Sequence, residues 1–145
     1  MKSGELEIFL SNQGVTSCDG IQMDENYIHP TRGWLFATFA EALADNLFEL
    51  GLSKWAAEAW DCDNFATTAY VFAQACHART SHDSDAGLAF GIFLYHPSAG
   101  GGHAINFAVI YEGNPGVAKL VFFEPQTGQE VKLKPDEMVG ATYII

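Results

Sequence analysis

The chain is short of positive charge. Seven lysines and arginines stand against 18 aspartates and glutamates, a formal charge of −11. A nucleic-acid binder needs a basic footprint to neutralise phosphates, so this balance excludes nucleic acid as a partner. The same deficit opposes adhesion to an anionic membrane. Long apolar runs are also missing. The longest, near Leu88–Tyr95 and Ala104–Tyr111, are strand-sized and fall short of the ~18–20 residues of a membrane helix. The first residues, Met1-Lys2-Ser3-Gly4-Glu5-Leu6-Glu7, carry acids where an export leader has a basic start and an apolar run. The expectation is a cytoplasmic chain, or one released by a route that needs no leader. Cysteine is scarce: Cys18, Cys62 and Cys76 are an odd number with no CxxC pair. They do not read as a disulfide framework, and free thiols in a reducing compartment follow. No repeat, low-complexity tract or linker interrupts the chain.

What is present fits one folded domain, residues 1–145. Apolar residues make up 48% and charged residues 17%, the balance of a globular chain long enough to bury a core without staples. Residues 5–10 alternate and predict a short strand. From Trp34 to Leu50 apolar residues recur every three or four positions, at Leu35, Phe39, Leu43, Leu47 and Leu50, which predicts an amphipathic helix ended by Gly51. A short helical turn is expected over Ser53–Trp60, and a second long helix from about Asp61 to His77. The second half is rich in aromatic and branched residues split by Gly and Pro turns. Leu88–His96, Ala104–Tyr111 and Leu120–Glu124 predict consecutive antiparallel strands, with two more at Glu130–Leu133 and Ala141–Ile145. Helices followed by a meander make an α+β domain, N-terminal helices packed on an antiparallel sheet.

The second helix opens with Trp60-Asp61-Cys62-Asp63-Asn64-Phe65-Ala66. Cys62, Phe65, Ala69, Phe72 and Cys76 share one face, so Cys62 reads either as a small packing residue or as a nucleophile. Its place in the first turn favours the second reading, because unpaired N–H groups and the helix dipole there stabilise a thiolate and receive an oxyanion. Thiol hydrolases of papain-like architecture place their nucleophile in this way. His103 is the best-placed base: it follows Gly100-Gly101-Gly102 and opens a strand. Folding 103–111 back on 118–126 puts His103 opposite Glu124 and Gln126, either of which can hold the ring. Asp61 and Asp63 oppose a thiolate between them. A bound divalent cation reverses that local field, and two carboxylates with the Gln126 carboxamide are hard oxygen donors of the kind calcium takes. As helix-cap and dipole-compensating residues the two aspartates need no metal.

Together, Trp60–Ala66, Gly102-His103-Ala104-Ile105-Asn106 and Glu124-Pro125-Gln126-Thr127-Gly128 resemble the C-terminal domain of a fungal mushroom agglutinin and its small bacterial and phage relatives. The resemblance covers about residues 34–133. It implies a papain-like cysteine protease dependent on calcium or manganese, acting on a protein or peptide substrate. Its catalytic triad falls on Cys62, His103 and Glu124, and its metal ligands on Asp61, Asp63 and Gln126. The sugar-binding trefoil that precedes this domain in the agglutinin has no counterpart in the 145 residues. Similar patterns occur in glutamine deamidases and transglutaminase-like enzymes, and a catalytically inactive metal- or ligand-binding module of the same fold is the reading from a different class.

Overall fold

The computed structural model describes residues 1–16, 19–80, 85–113 and 116–145. Cys18, His82 and the Asn114-Pro115 part of the expected turn lie outside the described residues. Among these residues, helices α1 (Ser3–Asn12), α2 (Ala40–Glu49) and α3 (Cys62–Thr80) accompany eight strands: β1 (Asp19–Ile21), β2 (Tyr27–Ile28), β3 (Gly87–Leu88), β4 (Phe90–Tyr95), β5 (His103–Glu112), β6 (Val117–Glu124), β7 (Gln129–Val131) and β8 (Thr142–Ile144). Six of them form one sheet in the order β1-β8-β4-β5-β6-β7, and β2 pairs with β3 apart from it.

The antiparallel centre follows the reading of the sequence. β4 pairs with β5 from Phe90 opposite Ala108 to Tyr95 opposite His103. β5 pairs with β6 from Asn106 opposite Phe123 to Glu112 opposite Val117. Alternation then sends side chains to two cores. On one face α1 and the chain ends cover Phe93, Tyr95, Ile105, Phe107, Val109 and Phe122. On the other, α2 and α3 cover Phe90, Ala108, Ile110, Val121 and Phe123. There Phe39 packs against Phe90, Phe123 and Phe72 with ring centroids 5.4–5.9 Å apart, inside the range where aromatic pairs attract.

The helix leading to α2 starts at Thr31, whose Oγ1 accepts the Trp34 N–H at 3.1 Å, an N-cap in the strict sense. Trp34–Phe39 is a π-helical turn that runs directly into α2. Leu35, Phe39, Leu43 and Leu47 are all buried along it.

Three expectations are corrected. Residues 5–10 are helical, not extended: Leu6 and Leu10 are the buried positions, a four-residue spacing that brief alternation masked. Glu5 accepts the Lys2 N–H at 2.9 Å and starts the helix. Ser53–Trp60 is not a helical turn but a tight reversal in which Ala56 and Trp60 exchange both backbone bonds, with Glu58 at φ +62°. Closure of the loop overrides the helix propensity of its alanines. The sheet is mixed, because β1 adds parallel to β8; strands of three residues carry too little alternation to read.

Candidate functional site

The predicted residues gather at one end of the sheet, at the start of α3 and β5 and the end of β6. Cys62 is the first residue of α3. Helix entry is built by its neighbours: Asn64 Oδ1 accepts the Asp61 N–H at 3.2 Å, and the Phe65 N–H reaches Asp61 O at 3.1 Å. The expected capping by the Asp61 carboxylate is not seen. Its Oδ1 is buried with no hydrogen-bond partner, and its carboxyl lies against that of Asp63. That hydrogen-bonded contact, then desolvation, then the like charge, push the Asp61 carboxyl above the usual carboxylate range. The adjacent Trp60 indole N–H is likewise buried and unpartnered, and its ring meets Phe65 edge-on at 5.5 Å.

On the sheet, His103 Nε2–H donates to Glu124 Oε2 at 2.9 Å. Register brings Glu124 within reach on the diagonal: with Asn106 opposite Phe123, Glu124 falls opposite Ile105, two residues from His103 and on the same face. The other oxygen, Glu124 Oε1, accepts the Gln126 N–H at 3.1 Å. Gln126 is therefore not the next outward residue of the strand: β6 stops at Glu124, and Gln126 is exposed in the following turn. That turn closes with the Gly128 N–H on Glu124 O at 2.8 Å. Gly128 has φ +70°, and a Cβ there would sit 3.1 Å from the Ala40 Cβ, so glycine lets the turn press against α2. Gln126 and Phe65 line the resulting cleft of about 380 Å³ between α2 and the turn.

Two of the expected groupings are not closed by hydrogen bonds among the described residues. Cys62 packs against Ala66, Ile92 and Ala104, on the α3 side of the sheet. His103 stands directly opposite Tyr95, its ring 5.8 Å from the Tyr95 ring, and Tyr95 belongs to the α1-side core. Paired residues of an antiparallel ladder project to the same face. Thiol and imidazole thus start from opposite faces at the sheet's end, and no hydrogen bond joins them among the described residues. Among those residues, too, no three His, Cys, Asp or Glu side chains converge as a metal group. A cation at Asp61 and Asp63 would rest on two carboxylates plus amide, backbone or water oxygens. The unpartnered Asp61 Oδ1 beside the Asp63 carboxyl fits such an ion.

Sequence reasoning missed Tyr95, which register alone reveals. It passed over Asn64, although a side-chain acceptor three residues after a helix cap is a legible signal.

A family model described as agglutinin C-terminal matches residues 39–130. The chain belongs to the agglutinin C-terminal family. Among solved structures, this agglutinin C-terminal chain is similar to a PSL1a–E64 complex, with a TM-score of 0.78 and 21% identity, over all of this chain and 51% of that one. It is also similar to a Polyporus squamosus lectin bound to the human-type influenza-binding epitope Neu5Aca2-6Galb1-4GlcNAc, with a TM-score of 0.67 and 21% identity, over 92% of this chain and 48% of that one. The chain thus spans about half the length of these proteins, and the likeness shows a shared fold. No curated protein matches it. These findings correct the expectation of an enzyme. The family is that of agglutinins and the described neighbour is a lectin, so the cysteine-hydrolase reading, whether as protease, deamidase or transglutaminase, is withdrawn.

Proposed function

We propose that the chain is a ligand-binding module that keeps a papain-like layout, a helix start facing the end of an antiparallel sheet, and uses it for recognition. Asp61 and Asp63 hold a divalent cation, calcium or manganese, with the Gln126 carboxamide as a further oxygen. The observation that carries this reading is the buried, unpartnered Asp61 Oδ1 beside a second carboxylate. An unsatisfied buried acceptor is costly, and a hard cation satisfies it and removes the repulsion. A formal charge of −11 raises the local concentration of cations around the chain. The cation supplies a positive centre for ligand oxygens. With Nε2–H committed to Glu124, His103 offers its Nδ1 to a hydroxyl of the ligand. Glycans are the ligand class to test first, because the similar Polyporus squamosus lectin is bound to one.

The test is isothermal titration of the protein with calcium and with manganese, followed by glycan-array binding in calcium and in EDTA. Cation binding is expected to raise the melting temperature by mass action and to be lost in the Asp61→Asn, Asp63→Asn double variant. Absence of heat and of thermal shift with both ions would remove the cation from the site. Glycan binding that EDTA leaves unchanged would move recognition elsewhere on the surface.

A further inference from the structure

Asn106 is fully buried, the polar exception in a core of apolar side chains among the described residues. It lies in the middle of β5, on the face covered by α3. Its Nδ2 donates to Ala66 O at 2.9 Å and to Gly91 O at 3.1 Å. Both partners are carbonyl oxygens, so the orientation of the amide is fixed: only the NH₂ group can face them. The remaining oxygen, Oδ1, has no partner.

A leucine has nearly the same shape and would remove the unpartnered Oδ1. What the amide adds is a connection between three elements. Ala66 is one helical turn beyond Cys62 on α3. Gly91 is on β4, where a Cβ would meet Ile144 O at 2.3 Å, so that backbone is confined between its neighbours. Asn106 itself is three residues from His103 on β5 and is paired with Phe123, the neighbour of Glu124. A single side chain thus ties the helix that opens with Cys62 and Asp63, just after Asp61, to the strand carrying His103. Apolar contacts between a helix and a sheet tolerate sliding; two directed hydrogen bonds from one planar amide do not.

We infer that Asn106 is a positioning residue that fixes the register of α3 on the sheet, and with it the distance from the Asp61–Asp63 pair to the His103–Glu124 pair. The inference deepens the cation-site reading and rests on it for one of its three measurements only.

The experiment compares wild type with Asn106→Leu, and with Asn106→Thr, which keeps one hydroxyl donor on a strand-compatible side chain. Each protein is followed by thermal unfolding, by the alkylation rate of Cys62, and by calcium titration. A purely structural role would lower the melting temperature and leave a folded protein's Cys62 unchanged. A positioning role predicts the reverse. Asn106→Leu should melt at or above the wild-type temperature, while Cys62 alkylates about tenfold faster as the first turn of α3 loosens. Calcium affinity should fall by a similar factor, with Asn106→Thr intermediate in both. Should Asn106→Leu not fold, Asn106→Thr against wild type decides the matter on the same readouts. Alkylation within twofold of wild type in a folded variant would overturn the inference. If wild type takes no calcium, the cation reading falls alone, and the alkylation comparison still judges Asn106.

Discussion

The two faces of the central sheet solve the same packing problem with different materials. The α1 face is closed by one helix and the chain ends, and its polar groups are paired: Tyr27 O–H donates to Ile145 O at 3.2 Å. The α2–α3 face is closed by two helices over a cluster of phenylalanines. It also holds three of the unpartnered buried atoms among the described residues, at Trp60, Asp61 and Asn106; a fourth, His29 Nε2, belongs to a ring packed on Tyr111. Folding alone does not call for such atoms. Three of them gather around the start of α3, at the candidate site.

The comparison can be broken most forcefully at its cores. Phe123→Ala removes the ring at the centre of the phenylalanine cluster and should cost about 3–5 kcal/mol. Leu10→Ala on the α1 face should cost about 2–5 kcal/mol. Urea unfolding of both variants measures the two values. If Leu10→Ala costs clearly more, the α1 face is the tighter core and the phenylalanine cluster is loosely packed.

A smaller effect sharpens the contrast at the site. The Asp61 carboxyl is held above its ordinary range, so it favours the native state while protonated. Its contribution is full below the unfolded pKa and is lost as pH rises through the folded one. Asp61→Asn should therefore raise the metal-free melting temperature at pH 7 and have little effect at pH 3. Equal shifts at both pH values would contradict the coupling to Asp63. Glu137 has the opposite sign. The Lys134 and Ser98 N–H groups and the Ser98 hydroxyl all donate to it and hold its carboxyl down at about 2. Its contribution is present above the ordinary carboxylate pKa and disappears as pH falls toward 2. Glu137→Gln should flatten that acid limb and loosen the 97–101 loop ahead of His103, read by hydrogen exchange.

The smallest effect is expected at the surface. Arg32 bonds both Glu112 and Glu130 and covers the Phe36 ring at 5.2 Å, but it is 43% exposed. Arg32→Ala should lower the melting temperature by about one or two degrees, and the difference should vanish in 1 M salt, where the screening length is ~3 Å. A loss that salt does not reduce would make packing on Phe36 the larger part.

How far the sequence reveals this molecule depends on the length of each signal. The α2 and α3 helices and strands β4 to β6 each carry enough periodic apolar positions to be read. From one turn, the pairing that brings Glu124 to His103 follows by counting. The α1 helix, the parallel β1–β8 pair and the reversal at Ala56–Trp60 are too short for periodicity and are decided by contacts distant in sequence. Within the candidate site, two local contacts were legible and the wider assembly was not. Asp61 with Asp63, and His103 with Glu124, meet as spacing suggests. Whether Cys62 meets His103 depends on which face of the sheet His103 leaves. That is fixed by its partner Tyr95, on a different strand.

The π-helical turn at Trp34–Phe39 has a consequence for the shape of the α2 face. Four residues of α-helix sweep about 400°, so a stripe spaced strictly by four drifts about 40° around the axis at each step. Leu35, Phe39, Leu43 and Leu47 are spaced in that way, and an uninterrupted α-helix would wind them toward solvent. A turn closed by i→i+5 bonds rotates less per residue, so the step from Leu35 to Phe39 falls short of a full revolution and offsets part of the later drift. The wide turn acts as a phase correction. It keeps four large side chains aimed at one sheet and holds Ala40 where the Gly128 turn, with Gln126 on it, comes to rest.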